Sequence, residues 1–167
     1  MINTTDTAGH LIDIITKEIE LIDSFTVVEA SIMDSVINNN WDFLEAAITQ
    51  AEGISGLIEA LDRERDFHVE KLRESSGEDK SAHFYRLTAR LETEQRDKLN
   101  ELYRKLKLSV LNLQNMNWRI DAYVGTVTGI MKQTLKEIYP NRRGSLYSKS
   151  GTIREAESNP MVLNKKL

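Results

Sequence analysis

The chain has 167 residues, of which 40% are hydrophobic and 29% charged, with a formal net charge of −4, two prolines, eight glycines and no cysteine. Little Pro and Gly beside abundant Leu, Ile, Glu and Lys is the composition of long helices, and the length suits a single domain, compact or elongated. Without cysteine there is no disulfide, thiolate metal site or thiol nucleophile; no apolar run approaches the roughly 20 residues of a membrane span, and Asp6 stands where a secretory signal would be basic.

The first predicted helix covers residues 7–37. Leu11, Ile14, Leu21, Phe25, Val28 and Ile32 recur at helical spacing, and Ile12, Ile15, Ile19 and Ile22 form a second stripe beside them. Two adjacent stripes make a face wide enough for two neighbouring helices. Asn38-Asn39-Asn40 ends it, because asparagine competes for the backbone and tolerates turn geometry.

The second predicted helix covers 41–73. Leu44, Ala47, Ala51, Ile54, Ile58, Leu61, Arg65, His68 and Leu72 alternate steps of three and four, a heptad seam with two polar members. Arg65 and His68 read as a polar layer facing an acid on another helix, the kind of layer that fixes register. Gly53 and Gly56 weaken the middle, each by about 1 kcal/mol relative to alanine. The run from Glu74 to Ser81 has loop composition.

The third predicted helix covers 83–139 in one piece. Its seam runs Leu99, Leu102, Leu106, Val110, Leu113, Asn117, Ile120, Val124, Val127, Met131, Leu135 and Ile138, and Pro140 stops it. Gly125 and Gly129 form a GxxxG spacing, which reads as a place of close helix approach or as a flexible point in a helix that repacks on binding. Short connections make neighbouring helices antiparallel. The expected fold is therefore all-α: an antiparallel three-helix bundle or coiled coil at 1–140 with a long third helix, followed by a flexible basic tail at 141–167.

That tail carries Arg142, Arg143, Lys149, Arg154, Lys165 and Lys166 against Glu155 and Glu157, a net charge of +4 that leaves −8 on residues 1–140. Its apolar residues are too scattered for a core of their own. None of His10, His68 and His83 follows a glutamate by three positions, so a di-iron bundle is not expected, and no HExxH or Gly-rich phosphate loop occurs. No catalytic residue, cofactor or metal is predicted. The acidic body would repel phosphate, so nucleic acid is not an expected partner.

Three pieces near the end resemble the FlgN family of flagellar type III export chaperones. Leu146-Tyr147-Ser148-Lys149-Ser150-Gly151 is similar to its Leu-Tyr-x-x-x-Gly signature. Leu111-Asn112-Leu113-Gln114-Asn115 is similar to its Leu-Asn-x-x-Asn motif, carried by Asn112 and Asn115, although Met116 stands where the family often has a small residue. Leu163-Asn164-Lys165-Lys166-Leu167 resembles its short basic ending. The resemblance implies a cytoplasmic chaperone without cofactor that keeps hook–filament junction proteins of the FlgK and FlgL type soluble. It also implies docking at the export gate protein FlhA through Tyr147. The expected cargo surface joins Leu146, Gly151, Ile153, Met161, Val162, Leu163 and Leu167 to Met131, Leu135 and Ile138 of the last helix. A structural coiled-coil adaptor with no export role, self-associating through its seams into a homo-oligomer, is the alternative.

Overall fold

The computed structural model describes residues 4–79 and 81–139, with side chains from residue 6 onward. Among the described residues there are α-helices and no strand: α1 Thr4–Ile37, α2 Trp41–Ser76, α3 Phe84–Thr88 and α4 Thr93–Ile138. Contacts divide the chain into Met1–Trp118 and Arg119–Leu167. The tail at 141–167 and its expected flexibility lie outside the described residues.

The first unit is the bundle. Both apolar stripes of α1 are buried or half-buried, so the wide face does contact two neighbours. Every member of the α2 seam from Leu44 to Leu72 is likewise withdrawn from solvent, with Ala47 and Leu72 buried. The core joins Ala8, Leu11, Ile15 and Ile22 of α1, Leu72 of α2, Phe84 and Leu87 of α3, and Leu99, Leu102 and Leu106 of α4. Each large aliphatic side chain buried there contributes about 1.5–3 kcal/mol. His10 meets His68 with ring centroids 5.4 Å apart, and Glu18 meets Arg65, so α1 and α2 run antiparallel. Higher on α1, with its amide turned to donate, Asn117 Nδ2 lies 2.6 and 2.7 Å from the two carboxylate oxygens of Glu29. α4 thus returns parallel to α1, the up-down-up order of an antiparallel bundle.

The turns follow from their residues. Asn39 takes φ +54°, and Asn40 N–H donates to the Ser35 carbonyl at 2.9 Å, closing α1. Gly77 caps α2 at φ +65°, where a side chain would be strained, and donates to the Glu74 carbonyl. Glu74, Ser75 and Ser76, expected in the loop, form the last turn of α2 instead.

The third helix is not continuous. α3 ends at Thr88, residues 89–92 are non-helical, and α4 starts at Thr93. No Gly or Pro marks this break; burial makes it. Folding back places Phe84 on Tyr103, ring centroids 4.2 Å apart and nearly parallel, a pair that one straight helix would hold nineteen positions apart, about 28 Å. Phe84, Leu87, Thr88 and Leu91 are all buried, and Thr88 Oγ1 donates to Asn100 Oδ1 at 2.9 Å. The apolar spacing 84, 87, 91 continues into 99 and 102, so the pattern was compatible with either arrangement; closing the end of the bundle outweighs the lost helical hydrogen bonds.

Candidate functional site

Burial declines along α4. Leu99, Leu102, Leu106 and Ser109 are buried, Val110, Leu113, Met116, Ile120 and Tyr123 half-buried, and every residue from Val124 to Tyr139 exposed. The residues of the same seam therefore form a core at one end and an open surface at the other. On a helix of 3.6 residues per turn, Val124, Val127, Met131, Leu135 and Ile138 fall within an arc of about 80° and extend over roughly 21 Å. Met131 is 59% exposed, Leu135 54% and Ile138 37%, so these three expected site residues stand on an apolar stripe left uncovered among the described residues. Ile130, 60% exposed beside them, widens the stripe and was not anticipated. Lys132, Gln133, Lys136 and Glu137 fall on the other faces of the helix, with Gln133 Nε2 donating to Glu137 Oε1 at 3.1 Å.

This segment is also a weak helix locally. Gly125 and Gly129 each disfavour it by about 1 kcal/mol relative to alanine, and Thr126, Val127 and Thr128 between them are β-branched. Thr126 Oγ1 turns back to the Ala122 carbonyl at 2.8 Å, a bond that bends helices. A methyl group built on either glycine meets nothing within 4 Å, so among the described residues no close helix approach uses this GxxxG spacing. An apolar stripe on a deformable helix suits a partner helix laid along it.

Asn112 and Asn115 are exposed on α4 in the first unit. Leu146, Tyr147, Gly151, Ile153, Met161, Val162, Leu163 and Leu167 lie outside the described residues.

The polar layer is where the α2 seam placed it. Arg65 donates to Glu18 on α1 and to Asp62 on its own helix, and also reaches Asp66 at 3.4 Å. Burial raises the Glu18 carboxyl above its ordinary range, against the attraction of Arg65. Burial works to lower Arg65, but Glu18, Asp62 and Asp66 together carry it above its usual value, so the guanidinium is charged. His68 is lowered by burial first and then by Lys71 and His10, with Glu64 and Asp6 opposing. Its Nδ1 is buried without a hydrogen-bond partner among the described residues. The second layer, Glu29 with Asn117, was not foreseen: Asn117 stood in the predicted seam, yet nothing marked Glu29 as its buried counterpart.

Among the described residues no three His, Asp or Glu side chains converge as a metal-ligating group, and no helix is long and apolar enough to cross a membrane. A concave surface does occur in the first unit between α2, α3 and α4, a groove of about 610 Å³. Its aromatic wall, Phe84 against Tyr103, could not be read from the sequence because the break at 89–92 brings the two together.

The chain is 23% identical over 145 residues to an uncharacterized protein of Treponema pallidum (strain Nichols), an alignment covering 86% of this chain and 85% of that one. No solved structure matches it. The FlgN protein family matches residues 1–155, nearly the whole chain. Matched over that length, the chain belongs to the FlgN family, which is associated with flagellar export chaperone function.

Proposed function

We propose that this chain is a cytoplasmic chaperone of flagellar type III export that holds hook–filament junction proteins of the FlgK and FlgL type and delivers them to the export gate protein FlhA. The observation that carries the reading is the uncovered stripe Val124, Val127, Met131, Leu135 and Ile138. An amphipathic helix of the cargo lies along it, completing a seam that has no partner within the described residues. The bundle at 1–140 presents the stripe, and the tail at 141–167 wraps the cargo through Leu146, Ile153, Met161, Val162, Leu163 and Leu167. Ordering the tail on the cargo costs part of the interaction energy, which keeps the complex releasable at the gate. Tyr147 is the gate contact: a rigid ring with one hydroxyl, the side-chain type that recurs at interface centres.

Met131→Asp combined with Leu135→Asp tests this. Both side chains are more than half exposed, so the melting temperature is expected to stay within the error of surface substitutions, about 0.5 kcal/mol in stability. Cargo affinity, measured by calorimetry with purified FlgK- or FlgL-type protein, is expected to weaken by about 2 kcal/mol or more. Unchanged affinity would place the cargo elsewhere and end the proposal. Tyr147→Ala separates the two partners: binding to FlhA is lost and cargo binding survives. A coiled-coil adaptor would instead self-associate and be indifferent to such cargo.

A further inference from the structure

The groove between α2, α3 and α4 has an apolar floor of Val69, Leu106 and Val110 and a wall made by the stacked Phe84 and Tyr103 rings. Its volume lies in the range of binding clefts. Of the cations in its lining, Arg65 is paired with Glu18, Asp62 and Asp66 and Arg73 with Glu70, which leaves Lys107 as the open positive charge, in a protein of net charge −4.

Two cations of α4 stand at this groove on aromatic rings. Lys107 Nζ stands 4.5 Å above the Tyr103 ring and 5.7 Å from the Tyr85 ring, and Arg104 lies 5.9 Å from Tyr85. Among the described residues neither cation meets a carboxylate; ring faces hold them beside the groove with their charge unspent. Arg73, on the α2 side of the groove, is already paired with Glu70.

We propose that this groove docks an acidic amphipathic helix of a partner protein, at a site separate from the α4 stripe. Apolar side chains of the incoming helix cover Val69, Leu106 and Val110, and its flanking carboxylates meet Lys107 and Arg104. The shape favours a helix over a small anion. The α4 wall from Tyr103 to Gln114 runs about 16 Å, three turns, so anchors at i, i+4, i+7 and i+11 match its length. A lone anion would occupy only the cationic rim and leave the floor in water.

The test uses the full chain and a fluorescein-labelled helical peptide of about 15 residues, leucines at those four positions and glutamates flanking them. A control peptide carries lysine for every glutamate. Fluorescence anisotropy is expected to show the acidic peptide binding at least about tenfold more tightly than the control. Lys107→Glu and Leu111→Glu, at exposed positions on the rim, are each expected to weaken it by about tenfold, while Met131→Glu on the stripe leaves it unchanged. Equal affinity for the two peptides overturns the proposal, as does indifference to both rim substitutions or loss with Met131→Glu alone. Sedimentation of the chain by itself is expected to show no association that depends on Lys107. A dimer broken by Lys107→Glu would make a second copy the occupant and refute the partner helix. Cargo binding is measured separately, so failure here leaves the stripe reading intact.

Discussion

Glu18 gives one carboxylate oxygen to Arg65 and buries the other, Oε2, with no donor. The pair is thus a specificity device with a desolvation penalty, because taking the charges out of water costs more than most ion pairs return. Glu18→Leu alone is expected to destabilise the protein by about 2–3 kcal/mol; the roughly 3–5 of a fully buried pair is reduced because Arg65 keeps a fifth of its side chain in water and retains Asp62 and Asp66. Glu18→Leu with Arg65→Leu is expected to restore or exceed the starting stability in urea titrations. A double variant as weak as the single one would mean that the pair contributes net stability. His68 predicts a pH effect. Its lowered proton affinity means that the unfolded chain, at its ordinary 6.5, binds a proton that the fold resists. The stability it contributes is present above pH 6.5 and is lost as pH falls from there toward its folded value. Between pH 7.5 and 5.5 the urea midpoint is expected to drop, and His68→Leu is expected to flatten that drop. An undiminished slope in the variant would assign it to other groups.

At the scale of elements, α4 joins two kinds of helix in one rod. Near Leu99 it is held by the core; near Gly125 it has, among the described residues, only its own hydrogen bonds and weak intrinsic propensity. Gly125→Ala with Gly129→Ala is therefore expected to stabilise the helical form of that segment by about 1–2 kcal/mol, since a methyl group meets nothing there. Hydrogen exchange is the measurement: amides around 124–135 are expected to slow, with those around 99–106 unaltered. Equal slowing along all of α4 would show that it opens as one unit. This element also shows what the sequence disclosed. The seams of α1 and α2, the asparagine turn and the Arg65 layer were legible because each depends on local chemistry and fixed spacing. The division of α3 from α4 was not, because apolar positions 84, 87 and 91 suit a straight helix as well as a folded-back one, and only tertiary burial decides between them. The Phe84–Tyr103 wall was hidden for the same reason, whereas Met131, Leu135 and Ile138 stood out as a seam outlasting its partners.

For the whole molecule, the proposed function has folding and partner binding draw on different residues of one continuous pattern. Leu99→Ala, at a site with no exposed surface, is expected to cost about 2–5 kcal/mol and to lower the melting temperature markedly. It is expected to leave the affinity of the remaining folded protein for cargo unaltered, because the stripe residues are untouched; a fall in affinity without unfolding would couple core to surface. The graded burial along α4 has a further consequence for how such a protein can change over time. Substitutions at Leu99, Leu102 or Leu106 are answerable to stability, and most are purged for that reason alone. Substitutions at Met131, Leu135 or Ile138 meet no such filter. On the proposed function, lineages can therefore retune what the helix end recognises step by step, each intermediate still folded, with the partner as the only judge of the outcome.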